Sequence, residues 1–212
     1  MNATDPLTDD QNRQWTLGRA LGRGLWSRAW LAESPGGRKA VLHAPLGAAD
    51  LGGSDAMAAT CRAGIDETAQ RLRRGERGLP ELLGTVVLEP GVKGLLVPAG
   101  PSLLHRLDAG DTFVGTAQSI LRAATYLEGQ VHGEIHHASL QVMSNEGTDI
   151  DVRLGLPLPA TVGPHLVRLE ELASRSGWRP PEAGSRPVPM WDAWALCRIL
   201  WIVATTPPTT GE

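Results

Sequence analysis

Apolar residues in the first hundred positions fall in short runs broken by turn residues, a pattern of strands more than of helices. Gln14 to Ala20 reads as a strand that leads into a glycine-punctuated turn, LGRGLWSRAWLAES. Pro35-Gly36-Gly37 then marks a hairpin before the run Lys39 to His43. The exception is Ser54 to Arg74, where Met57, Cys61, Ile65, Thr68 and Leu72 recur at helical spacing and Ser54 or Asp55 is placed to cap. Glu81 to Leu88 and Lys93 to Val97 predict two more strands, on either side of the turn Glu89-Pro90-Gly91.

After Pro98-Ala99-Gly100-Pro101 the period changes. Phe113, Ala117, Ile120, Leu121, Ala124 and Leu127 trace an amphipathic helix. Short apolar segments follow at Leu140 to Met143 and Val152 to Leu156, then a proline-rich stretch, Pro157 to Pro189, holding a short charged helix near Leu166 to Ser174. The helix predicted over Trp191 to Ala204 is apolar almost all round and is expected in the interior, with Trp191, Trp194 and Trp201 as a core pillar. The expected organisation is a flexible N-terminus over 1–14, a strand-rich lobe over 15–98 and a helical lobe over 99–212.

Composition narrows the class. A chain of 212 residues with 42% hydrophobic and 20% charged residues is long enough and apolar enough for a packed core. A net charge of −3 gives no footprint for nucleic acid, and the basic run Arg71 to Arg77 reads as the solvated end of a helix. Cys61 and Cys197 lie far apart, outside any metal-ligand spacing, and are expected as small core residues in a reducing compartment. The polar, acidic N-terminal stretch is no secretory signal, and the apolar stretch Ala193 to Thr205 is too short to span a bilayer. The expected location is the cytoplasm, as a free protein or as the cytoplasmic domain of a larger or membrane-associated one. Many Ala, Gly, Arg and Trp residues beside two Lys fit a high-GC bacterial genome.

Several motifs, taken in order, resemble those of the protein-kinase superfamily. Leu21-Gly22-Arg23-Gly24-Leu25-Trp26-Ser27 resembles a glycine-rich phosphate loop, with Ser27 where its third glycine would fall. Val131-His132-Gly133-Glu134-Ile135-His136-His137-Ala138-Ser139-Leu140 is similar to a kinase catalytic loop. Trp178-Arg179-Pro180-Pro181-Glu182 resembles the A-P-E motif, and Met190-Trp191-Asp192-Ala193-Trp194-Ala195-Leu196 resembles the start of the F helix. The resemblance covers residues 15 to 208 and implies an α+β, two-lobed protein-kinase-like fold. A C-lobe of that kind normally runs well past the F helix, whereas this sequence stops at Glu212. It is therefore expected to be either a piece of a longer protein or a minimal domain with one C-lobe flank uncovered.

The same alignment implies a degenerate site. Phosphoryl transfer in the family uses a strand lysine, a catalytic-loop aspartate and asparagine, and a D-F-G aspartate on magnesium. Here the lysine position falls on Leu42 or, with a one-residue slip, on His43. The base is Glu134, the loop lysine His136, the metal asparagine Ser139, and D-F-G aligns with Leu156-Pro157-Leu158. Gly22, Gly24, Ser27 and Glu67 remain as vestiges of the cofactor site, and His132, Glu182 and Asp192 of the framework. The expectation is a pseudokinase with no cofactor and no metal. It would act as a regulatory or scaffolding module on a protein partner, through the C-lobe flank or the cleft, or on a second copy.

Three rival readings stand beside it. Glu134 in an altered site could serve nucleotidyl or other group transfer. The cluster His132, Glu134, His136 and His137 could bind a metal, although an extended segment would put His137 on the opposite face from the rest. An unrelated α+β domain would keep the same apolar helices without the kinase-like order.

Overall fold

The computed structural model describes residues 6–101, 113–127, 131–133, 135, 140–146, 149–173 and 189–205. They belong to two compact units that interleave along the chain. The first comprises Met1–Glu76, Glu81–Ala99 and Leu158–Arg175, and the second Arg77–Pro80, Gly100–Pro157 and Ser176–Glu212.

Six strands build the first unit: β1 (Leu7–Thr8), β2 (Gln14–Arg23), β3 (Ser27–Glu33), β4 (Lys39–Pro45), β5 (Gly84–Glu89) and β6 (Val92–Pro98). They pair antiparallel in the order β1-β2-β3-β4-β6-β5, and a bridge between Asp9 and Val86 brings β1 back to β5, so the sheet nearly closes on itself. Register follows from the alternation of apolar side chains. Leu42 faces Trp30 on β3 and Leu96 on β6, and with Trp15, Leu17, Ala32, Ala40, Leu83 and Val86 it fills the interior of this near-barrel. Every strand predicted from the sequence is present, extended by one to three residues or shifted at its start.

Residues 6 to 14, expected as part of a flexible N-terminus, carry defined structure. Residues 7 to 9 pair with β2 and β5, and a turn over residues 10–13 leads into β2, an arrangement held by Asp9. Its buried carboxylate accepts from the backbone N–H of Gln11 and Arg13 (both 2.9 Å), the Arg13 Nε (2.8 Å) and the Trp15 indole (2.9 Å). Arg13 and Gln11 also donate to the Leu83 carbonyl. Asp10 pairs with Thr85 through backbone and side chain. Gly84 is required beside this knot, because a Cβ there would meet Asp9 Oδ2 at 2.9 Å. Burial alone would raise the Asp9 pKa, but the four donors outweigh it and hold the carboxyl below its ordinary value.

Outside the near-barrel lies α1 (Asp55–Arg73), packed against β4 and β6 and capped by Ser54, whose Oγ accepts from the Met57 N–H. Met57, Cys61, Ile65, Thr68 and Leu72 are all buried, as their spacing predicts. A 3₁₀ turn at Ala160–His165 and helix α3 (Leu166–Ala173) complete this unit, far along the chain from the strands they join.

The second unit contains α2 (Phe113–Tyr126), the hairpin β7 (Leu140–Glu146) and β8 (Asp149–Leu154), and α4 (Pro189–Thr205). α2 packs on α4 and on β8. Ile120, Ala123, Leu140, Leu154, Trp191, Leu196, Ile199 and Val203 are buried here. Of the three tryptophans expected as a core pillar only Trp191 is buried, and Trp194 and Trp201 stand exposed. Cys197, expected in the core, is exposed on the same side of α4. An all-apolar helix gives no clue from periodicity as to which face is covered. No helix among the described residues is long and apolar enough to cross a membrane.

Candidate functional site

In the first unit the glycine turn between β2 and β3 is the place to look for a phosphate cradle. Such a cradle needs backbone N–H groups turned outward on a loop that a ligand can reach. Here Gly22 has φ 152°, and the Gly24 N–H is spent on the Ser27 carbonyl at 2.7 Å. Leu25, Trp26 and Ser27 are buried, with Trp26 only 1% exposed. The tip is tied down further: the Leu46 N–H donates to the Trp26 carbonyl (3.0 Å), Arg23 to the Asp50 carbonyl (2.9 Å) and Arg28 to the Asp50 carboxylate. The turn is pinned to the β4–α1 connection, and its aromatic residue is part of the core.

The two positions aligned with the phosphate-binding lysine point to opposite faces of β4. Leu42 lies inside the near-barrel, whereas His43, opposite Ala29 and Leu95, is on the outer face where α1 packs. Burial lowers the His43 pKa from 6.5 to about 4, so the ring is neutral at pH 7 and carries no charge to offer a phosphate. Cys61 on α1 is likewise pushed by burial to about 11 and is a thiol at neutral pH.

Glu67 is committed to a structural cap. Its two carboxylate oxygens accept the backbone N–H groups of Ala160 (2.7 Å) and Thr161 (3.1 Å), the first residues of the 3₁₀ turn. Those N–H groups have no acceptor within the turn itself, so the carboxylate caps it from α1. One turn earlier on α1, Gly64 leaves the room: a Cβ there would meet Pro159 at 3.0 Å and Val162 at 3.3 Å. The chain has two lysines; Lys93 pairs with Asp66 at 3.1 Å, and neither it nor Lys39 is paired with Glu67.

The second unit holds the other cluster. Asp192, in the first turn of α4, is 2% exposed and receives two backbone N–H groups, His132 on Oδ2 (2.7 Å) and Gly133 on Oδ1 (2.8 Å). Gly133 has φ 77°, a left-handed conformation that glycine adopts freely. The His132 ring lies 2.9 Å from the Gly155 carbonyl through Nε2. One carboxylate thus fixes the backbone at 132–133, and the imidazole passes that constraint to the end of β8. Burial raises the Asp192 pKa, against the opposing effect of the two N–H donors. Next to Gly155 stands Leu156, a buried apolar side chain.

Of the residues singled out from the sequence, Gly22, Gly24, Ser27, Leu42, His43 and Glu67 fall in the first unit, and His132, Leu156 and Asp192 in the second. Glu134, His136, His137, Ser139 and Glu182 lie outside the described residues. Among the described residues no three His, Cys, Asp or Glu side chains gather as metal ligands. Sequence reasoning missed the Asp9 knot and gave Glu67 no partner. Gly64 inside a helix, three residues before Glu67, was the available signal for a close backbone approach. In comparisons with known proteins, no family model matches the chain and no curated protein matches it.

Proposed function

We propose that this chain is a protein-kinase-like domain without phosphoryl-transfer chemistry, acting as a regulatory or scaffolding module on a protein partner. The observation that carries this reading is the constellation around His132. The Asp192 carboxylate holds the backbone of His132 and Gly133, and His132 holds the Gly155 carbonyl. The next residue is buried Leu156, where the resemblance calls for a magnesium carboxylate.

Two features of the first unit support the same reading. The antiparallel order β2-β3-β4-β6-β5, with α1 inserted in the chain between β4 and β5, is compatible with the strand-rich, one-helix lobe that the resemblance implies. Its polar positions are then spent on structure: Glu67 caps a turn, His43 is neutral, and Trp26 plugs the core. A triphosphate would meet no dedicated positive charge among these residues.

A transfer assay tests the proposal. The full chain is incubated with γ-labelled ATP and magnesium or manganese, alone and with a general protein acceptor. No label on protein above a heat-treated control is the expected result. Label on the chain or the acceptor, lost on substituting Glu134→Gln, would instead establish an enzyme with altered chemistry.

A further inference from the structure

The exposed side of α4 carries a pattern that bears on what the partner is. Met190, Trp194, Cys197, Trp201 and Ala204 are all exposed, and they recur at alternating spacings of four and three residues. That is the a/d repeat of a coiled-coil seam, and it covers two heptads. A helix packed only within its own unit has no use for such a seam on its solvent side. Exposures of 59% at Met190, 40% at Trp194 and 69% at Trp201 leave a large part of these side chains in water.

We propose that this face of α4 pairs two copies of the chain. A second copy fits this stripe because the stripe is self-complementary. In an antiparallel pair with a two-fold axis beside Cys197, Trp194 of one copy meets Trp201 of its partner, and Trp201 meets the partner's Trp194. Both tryptophans are thereby covered by one symmetric contact, as an isologous dimer requires. The seam positions carry no charge, which argues against an acidic or basic peptide as the occupant.

Area sets the strength. A tryptophan side chain offers roughly 150–250 Å², so the exposed parts of Trp194 and Trp201 supply on the order of 250 Å² per copy. Met190, Cys197, Ala204 and the flanking residues bring the patch to on the order of 500 Å² per copy, or about 1,000 Å² for the pair, the lower bound of a specific interface. The expected dimer is therefore weak and concentration-dependent. This inference rests on the partner-binding reading and deepens it by naming the partner as a second copy.

Sedimentation equilibrium of the full chain across the micromolar range, with mild oxidation in parallel, tests it. Cys61 is buried, so a disulfide-linked dimer formed under mild oxidant reports Cys197. The expected result is a reversible dimer whose Cys197 cross-links, and whose dissociation constant rises at least about thirtyfold in Trp201→Glu, as for loss of an interface hot spot. Trp194→Gln, a milder change on the same seam, should weaken it in the same direction and serves if Trp201→Glu does not fold. A monomer at every concentration overturns the proposal. So does a dimer that both folded variants leave unchanged, since it would use another surface.

Discussion

The two units treat the same residue type in opposite ways. Trp26 sits at the tip of the glycine turn of the first unit and is 1% exposed, while Trp201 on α4 of the second is 69% exposed. The first unit turns inward. Its loop tip is core, its one buried N-terminal carboxylate is saturated with donors, and Glu67 is committed to a cap. The second unit keeps an inward-facing clamp at Asp192 yet leaves an apolar stripe in water. Asp9 and Glu67 show polar groups of the first unit used for structure, whereas the second leaves an apolar stripe exposed, the kind of surface that marks an interface.

Breaking that contrast most strongly calls for the paired substitutions Trp26→Ala and Trp201→Ala. The first should cost about 4 kcal/mol of stability as a buried aromatic lost from a packed core. The second should change monomer stability by less than about 0.5 kcal/mol. Urea unfolding followed at more than one wavelength separates them, and equal costs would refute the assignment of Trp26 to the core.

Asp192→Ala tests the clamp. Two buried N–H groups would lose their acceptor, for a cost of about 3 kcal/mol. Hydrogen exchange at His132 and Gly133 should accelerate along with it, and unchanged protection there would contradict the clamp.

The pH dependence sharpens the difference at His43. Its folded pKa near 4 lies below the ordinary 6.5, so the unfolded chain takes up the proton first. Stability is then full above pH 6.5 and falls as pH drops from 6.5 towards 4, by about 2 kcal/mol after discounting for the partial exposure of the ring. Below that window Asp9 adds a loss of the same sign, since its depressed pKa makes it protonate late in the fold. His43→Leu should flatten the 6.5-to-4 window alone, which thermal melts across that range will show.

A small effect of opposite sign is expected at Thr68, whose fully buried hydroxyl has no hydrogen-bond partner in the structure. Thr68→Val keeps the shape and removes an unsatisfied group, and should stabilise by about 1 kcal/mol. A loss of stability would mean that the hydroxyl is satisfied in solution.

Much of the fold was legible from pattern. Short apolar runs marked β2 and β4 to β6, and the three-and-four spacing from Met57 to Leu72 marked α1 with its Ser54 cap, whereas β3 lay inside the stretch read as a glycine-punctuated turn. The fate of α4 was not legible, because a helix apolar all round has no polar side to mark solvent. Nor was the knot at Asp9 readable, since four donors converge on it only once β1 and β5 are neighbours. Among the site residues, His132 and Asp192 were placed by motif and are in contact. Glu67 was found by its place in α1, but its partners lie more than ninety residues along the chain, beyond any local signal.

Calorimetric titration of the full chain with ATP, with and without magnesium, tests the central claim most directly. The account predicts no metal-dependent heat, because Leu156 offers no oxygen ligand and the glycine turn is closed over Trp26. Micromolar binding that requires magnesium would contradict it and return the chain to the enzymes.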